Sequence, residues 1–130
     1  MFLSEVKTGM FKGIGIDICE ISRMEKLLEN SNFLQRYFTT RESSYVLSRG
    51  KSAASSLAGI FAAREALGKA LGEGIDFDLK EAEVCHTDTG APFFRFFGKM
   101  EERLAGSRVF LSISHDGGVA AAVCMIESAS

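Results

Sequence analysis

An α+β fold, with a mostly antiparallel sheet packed against one long helix, is what this 130-residue chain predicts. Three observations point to it. The alanine-rich stretch Lys51–Leu71 has the composition and length of a helix of about 31 Å. Short apolar or alternating segments flank it, separated by glycine- and aspartate-containing turns. Four of these strand-like segments follow the helix with only one further helix among them, a pattern of segregated elements rather than of repeated βαβ units.

The elements follow in order. "KGIGIDI" (Lys12–Ile18) alternates glycine with β-branched residues and predicts a first strand ending near Asp17. "ISRMEKLLEN" carries Ile21, Met24, Leu27 and Leu28 at helical spacing, and "NFLQRYF" predicts a second, short helical piece. "TTRE" (Thr39–Glu42) matches a capping box ahead of "SSYVLSR". The long helix is rich in Ala, Ser and Gly, which allow close packing against a sheet, and "GEG" (Gly72–Gly74) ends it. "LKEAEVCHT" and "FFRFF" predict two strands around the turn "DTGAP", where Asp88, Gly90 and the only proline, Pro92, supply turn chemistry. "GKMEERLAG" is a short helix. "RVFLSISH" and "VAAAVCMI" flank "DGG", which predicts a hairpin.

The chain is long enough for one domain with its own core, residues 1–130, and no linker or repeat divides it. Net charge is −2, so no basic field suits a nucleic acid. The longest apolar run, Val119–Ile126, suits a buried strand and falls far short of a membrane span. The N-terminus has no apolar stretch of the signal-peptide kind. Cys19, Cys85 and Cys124 are odd in number and scattered, which favours reduced, buried thiols in a cytoplasmic protein over disulfides or a zinc site.

Three motifs offer chemistry, each beside a plainer alternative. "GIGIDI" is not a dinucleotide fingerprint, because Ile18 stands where G-x-G-x-x-G needs its last glycine. Asp17, at the strand's end, is either a helix N-cap or a site carboxylate. In "SISHD", neighbouring side chains of a strand point to opposite faces, so Ser114, His115 and Asp116 are no triad. His115 shares a face with Val109, Leu111 and Ile113, and is either a hydrogen-bonded strand-end histidine or a phosphate or hydroxyl contact. Glu65 and Lys69 are either an exposed i,i+4 pair worth about 0.3–0.5 kcal/mol or part of a site, with Phe61, Ala62, Gly68 and Gly72 on or near their face. Asp17 and Glu65 together could hold a hard cation, Mg²⁺ typically taking one or two protein carboxylates plus water and substrate phosphate. Lys69 could meet that phosphate.

The segments "GIGIDICEISRMEKLL", "FAAREALGKALGEGI" and "SISHDGGVAAAVCMIE", in this order and spacing, resemble the bacterial holo-[acyl-carrier-protein] synthase family, the small 4′-phosphopantetheinyl transferases. The resemblance runs from about Met10 to the C-terminus. Its most specific part is the pair G-[IV]-D and F-A-x-[KR]-E-A-x-x-K-A-L, about 45 residues apart.

The resemblance implies the 4′-phosphopantetheinyl transferase fold. It implies transfer of the phosphopantetheine arm of coenzyme A to a serine of apo acyl carrier protein, with release of 3′,5′-ADP, in support of fatty acid biosynthesis. Asp17 and Glu65 match the family's Mg²⁺ ligands. Glu65, directly or through a water, is the candidate acceptor of the serine proton, and Lys69 matches the phosphate-contacting lysine. His115 matches the histidine near the CoA phosphates, and Gly90 and Pro92 match the turn near the adenosine.

The family is trimeric, which implies that His115 and the Gly90–Pro92 turn come from a different subunit than Asp17 and Glu65. Arg23, Lys26 and Leu27, on the helix after Asp17, match the carrier-binding face. Residues 20–51 carry six Lys/Arg against four Glu, a small excess in the direction an acidic partner requires.

Some features depart from the family. Ile60 stands where Arg or Trp is usual and where an arginine can meet the 3′-phosphate, a contact that Arg49 or Lys51 could supply instead. Arg64 replaces the commoner lysine. Met1–Gly9 precedes a family-like start at Met10; it is either an extension or a misassigned start, and is expected to be poorly ordered. Two other functions compete: a non-catalytic CoA- or nucleotide-binding module of the same fold, and a transferase for polyketide or peptide synthase carrier domains. The intact Asp17, Glu65 and Lys69 disfavour the first, and the small size disfavours the second.

Overall fold

The structure, a computed structural model, describes residues 10–74 and 76–128. The expected extension Met1–Gly9 lies outside the described residues. The chain runs β1 (Phe11–Glu20), α1 (Ile21–Leu27), α2 (Ser31–Tyr37), α3 (Thr40–Ser48), α4 (Ala53–Ala70), β2 (Ala82–His86), β3 (Pro92–Phe96), α5 (Gly98–Arg103), β4 (Ser107–Asp116) and β5 (Val119–Ser128). The α+β class, the antiparallel strands and the long helix are as expected. The strands form two sheets: β1, β5 and β4 in that order, and a separate β2–β3 hairpin, all antiparallel.

Several boundaries moved, each for a local reason. The long helix begins at Ala53, because Gly50–Ser52 form a tighter 3₁₀ turn after α3. Leu79–Glu81 form another such turn, with the Asp78 carboxylate accepting from the Lys80 N–H, so β2 starts only at Ala82. The last hairpin turns on Gly117–Gly118 between the paired residues Asp116 and Val119. Both glycines have positive φ (57° and 82°), as a tight two-residue turn requires. Asp116 therefore ends β4 rather than making the turn.

α4 is the centre of the molecule. Thirteen of its eighteen residues are buried, so it has no broad solvent face. The inner face of the three-stranded sheet covers one side with Cys19, Ala120, Ala122, Cys124 and Ile126. Helices α1 and α3 and the strand β2 pack on other sides. The capping box at the start of α3 is present, Thr39 Oγ1 accepting from the Glu42 N–H and Glu42 accepting from the Thr39 N–H.

The same Glu42 carboxylate is fully buried and pairs with Arg64 of α4, itself 2% exposed. Glu42 also accepts from the Val84 N–H at 2.7 Å, and Arg64 donates to the carbonyls of Ala82 and Tyr37. Every buried polar atom of this network is satisfied, and it fastens α3, β2 and the chain at Tyr37 to the central helix.

The outer face of the three-stranded sheet is apolar and open. On it Ile14 stands opposite Met125, Ile16 opposite Val123, Ile18 opposite Ala121 and Phe110 opposite Met125. The three isoleucines are 60–65% exposed.

Candidate active site

The site begins with two glycines. The inner face of β1 carries Gly13, Gly15, Asp17 and Cys19. A Cβ on Gly13 would stand 1.9 Å from the Ala70 carbonyl oxygen, and one on Gly15 2.0 Å from that of Ala66. These glycines let the backbone of α4 lie directly on the strand, with no side chain between. "GIG" is thus a helix-contact motif rather than a nucleotide-binding one.

Two residues further along the same face comes Asp17. It sits within the strand, which continues to Glu20, so it is not a helix N-cap; the N-cap of α1 is Glu20, which makes no side-chain cap. Lys69 Nζ donates to Asp17 Oδ1 at 3.2 Å and to the Ile16 carbonyl at 3.0 Å. Among the described residues Glu65 and Lys69 form no ion pair, so the lysine reaches across to the strand rather than along its own helix. Its side chain is 54% exposed and that of Asp17 18%, so the pair adds little stability; it holds an ammonium at the mouth of a carboxylate site.

Glu65 lies close enough to Asp17 to feel its charge. Burial pushes the Glu65 carboxyl above the usual carboxylate range, and Asp17 pushes it further; Lys69 and Arg23 pull it back. A carboxylate raised in this way is a better proton acceptor. The donor set also suits Mg²⁺: two hard oxygen ligands that repel each other, with water and phosphate to complete the shell. Among the described residues no cluster of three or more His, Cys, Asp or Glu builds an all-protein cage. The three cysteines are free and buried, and burial raises the Cys124 thiol to about 12, an inert group.

Arg23 of α1 lies over the Phe61 ring at 5.2 Å, which ties the first helix to the Glu65 face of α4. Lys26 is exposed and Leu27 half-buried. Beside them Phe33, Tyr37, Phe38, Phe61 and Leu79 line an apolar hollow of about 200 Å³ that Glu65 borders.

His115 lies on the inner face of the sheet, as the alternation predicted, but in a second cleft. This cleft measures about 520 Å³, and Gly90 and Pro92 line its other side. His115 Nε2 lies 2.9 Å from the Ser55 carbonyl, an acceptor, so Nε2 carries the proton and Nδ1 remains for a ligand. Gly59 makes room: a Cβ there would come within 3.2 Å of Nε2. Ile60 is 1% exposed and faces the core, so position 60 takes no part in the cleft. Asp17, Glu65 and Lys69 thus form one group, and Gly90, Pro92 and His115 another. Tyr45 and His86 complete the second cleft with Arg49. Tyr45 and His86 lie 41 positions apart, and no periodicity flags them.

The chain is similar to known proteins in sequence and in fold. The signature of the 4′-phosphopantetheinyl transferase superfamily matches residues 13–124. A holo-[acyl-carrier-protein] synthase of Treponema denticola is 46% identical over 122 residues, covering 91% of this chain and 99% of that protein. The crystal structure of a holo-(acyl-carrier-protein) synthase from Bacillus anthracis in complex with CoA (3′,5′-ADP) is similar with a TM-score of 0.77 and 36% identity, covering 92% of this chain and 98% of that one. That of the Neisseria meningitidis holo-[acyl-carrier-protein] synthase has a TM-score of 0.80 and 32% identity, over 92% and 100% of the two chains.

Proposed function

The chain belongs to the holo-[acyl-carrier-protein] synthase family of 4′-phosphopantetheinyl transferases, and from that premise we propose that it transfers the 4′-phosphopantetheine of coenzyme A to a serine of apo acyl carrier protein, with Mg²⁺, in support of fatty acid biosynthesis. The observation that carries this reading is the meeting of Asp17, Glu65 and Lys69 where β1 lies bare against α4.

The chemistry follows from these groups. The carrier serine Oγ attacks the phosphorus that bears the pantetheine arm, the bond to the bridging oxygen breaks, and 3′,5′-ADP leaves. Glu65 is the candidate acceptor of the serine proton, directly or through a water. Lys69, half exposed, turns its ammonium from Asp17 to the phosphate oxygens. Asp17 and Glu65 would hold Mg²⁺, which when bound supplies positive charge against the pyrophosphate. His115, with Nε2–H donating to the Ser55 carbonyl, turns its Nδ1 edge toward the CoA phosphates, to which an Nδ1–H would donate, and the Gly90–Pro92 turn borders the adenosine.

The carrier docks on α1. Arg23 and Lys26 meet its acidic surface, and Leu27 with the apolar hollow beside Glu65 takes apolar side chains. The chain acts as one cytoplasmic domain, with Met1–Gly9 as an extension, in a homotrimer. The open sheet face around Ile14, Ile16 and Ile18 supports that assembly, since a patch of this kind on a lone chain marks an interface. A homotrimer also accounts for two separate groups: the Asp17 wall of one subunit would work with the His115 cleft of its neighbour.

The test is a mixture of the protein with apo acyl carrier protein, CoA and Mg²⁺, read by intact mass. A phosphopantetheine adduct on the carrier, absent without CoA, supports the reading. No adduct on any of several apo carriers overturns it.

A further inference from the structure

Arg64 comes immediately before Glu65 on α4 and borders the apolar hollow beside that carboxylate. Its side chain is 2% exposed, too deep to touch a docked protein. It acts on its surroundings instead. Each guanidinium nitrogen goes to a different segment. Nε donates to the Ala82 carbonyl of β2 at 3.1 Å, Nη1 to the Tyr37 carbonyl at 2.7 Å, and Nη2 to the Glu42 carboxylate of α3. The guanidinium carbon also lies 4.9 Å from the centroid of the Phe38 ring. Arg64 thus holds the backbone of Tyr37 and the ring of Phe38, at the corner between α2 and α3.

That corner is a wall of the hollow. The Phe33 ring rests against both residues, with centroids 5.3 Å from Tyr37 and 5.6 Å from Phe38. α2 has only seven residues, too few to hold itself in place. Its last carbonyls have no partner within the helix, and Arg64 takes the one at Tyr37. Lysine, the commoner residue of the family here, carries one ammonium in place of three nitrogens spread over a rigid plane. It can face Glu42 but cannot serve all three directions. We propose that Arg64 is a positioning residue for carrier recognition: by fixing Tyr37 and Phe38 it keeps the hollow preformed beside Glu65, ready for an apolar side chain of the acidic carrier protein. The inference rests on the reading of the hollow as a carrier contact.

The experiment measures carrier binding apart from nucleotide binding. Arg64→Lys keeps a charge opposite Glu42 and gives up the tie to Tyr37. By calorimetry, apo acyl carrier protein should bind this variant about tenfold more weakly than wild type. That is the population shift expected when one hydrogen bond to a charged group no longer holds the wall in its binding form. Binding of 3′,5′-ADP should stay within about twofold. In turnover, KM for the carrier should rise by about the same tenfold, with KM for CoA within about twofold and kcat within about threefold. A second variant, Arg64→Met with Glu42→Gln, leaves no buried charge unpaired and should show the same loss for the carrier. A carrier whose exposed apolar side chains beside the serine are truncated to alanine should bind wild type and Arg64→Lys alike, since it no longer uses the hollow.

Carrier binding within about twofold of wild type in both variants overturns the proposal. An equal loss of carrier and 3′,5′-ADP binding also overturns it, because Arg64 would then be a general support of the fold. So does a tenfold loss that persists with the truncated carrier. The underlying transferase reading fails separately. If the wild type binds the carrier but leaves no adduct on it, and Arg64→Lys weakens that binding, the positioning role stands and the transferase does not. If the wild type binds no carrier, the hollow falls as its seat and the proposal falls with it.

Discussion

Gly15→Ala puts the contact that builds the site under direct load. The new Cβ would stand 2.0 Å from the Ala66 carbonyl oxygen, 2.7 Å from the Ala70 nitrogen and 2.9 Å from Lys69 Cβ. Ordinary contact begins near 3.4 Å, so a gap of 3.4 − 2.0 = 1.4 Å must open. The obstacles are mainly helix backbone and cannot rotate away; α4 as a whole must retreat from β1. Overpacking of a core typically costs about 1–3 kcal/mol, and a displaced central helix belongs at the top of that range. The melting temperature should fall by roughly 10 °C. Asp17, two residues along the strand, separates from Lys69 and Glu65, and a misplacement of about 1 Å is enough for a loss near 10²-fold in transfer rate. Thermal unfolding by circular dichroism and the carrier-modification assay read the two effects. The control is Gly72→Ala at the end of α4, where φ is 84° and nothing lies within 4 Å: it should cost about 1–2 kcal/mol through backbone strain alone and leave turnover intact. Gly15→Ala unfolding within about 0.5 kcal/mol of wild type would refute the argument that this glycine exists for helix contact.

Three further outcomes can be checked. Glu42→Ala leaves the Arg64 guanidinium buried without its partner and the Val84 N–H without an acceptor, so denaturant unfolding should show a loss of about 3–5 kcal/mol; a loss under about 1 kcal/mol would contradict it. Ile16→Asp, on the open sheet face, should shift the species seen by light scattering from the proposed trimer toward the 14.1 kDa monomer and abolish transfer; an unchanged mass would remove that face from the interface. If sites are shared between subunits, inactive Glu65→Gln and His115→Ala proteins, unfolded and refolded together in equal amounts, should recover about one quarter of wild-type activity through interfaces that unite an intact half from each. No recovery would put both groups in one subunit's site.

Local features were legible in the sequence, and long-range partnerships were not. The capping box at Thr39 and Glu42 can be read from four residues and is present. Nothing local reveals that the same Glu42 carboxylate also neutralises Arg64 and receives the Val84 N–H, since those partners come 22 and 42 residues later. Helical spacing pairs Lys69 with Glu65, because that rule knows only one element. In the folded chain the bare glycines of β1 bring Asp17 and the Ile16 carbonyl within reach, and the lysine takes them. Alternation put His115 on the inner face of β4 correctly, yet the cleft in front of it depends on a stack between Tyr45 of α3 and His86 of β2. The family motifs marked the residues of both groups, and only the register of β1, β5 and β4 against α4 separates the groups in space.

The proposed transfer depends most directly on Glu65. Single-turnover transfer to apo acyl carrier protein should fall by about 10²–10⁴-fold in Glu65→Gln, with unfolding and CoA binding within a few-fold of wild type, because the substitution keeps the shape and removes the proposed proton acceptor and metal ligand. Transfer within about tenfold of wild type would contradict the claim that the Asp17, Glu65 and Lys69 face is where the phosphoanhydride breaks.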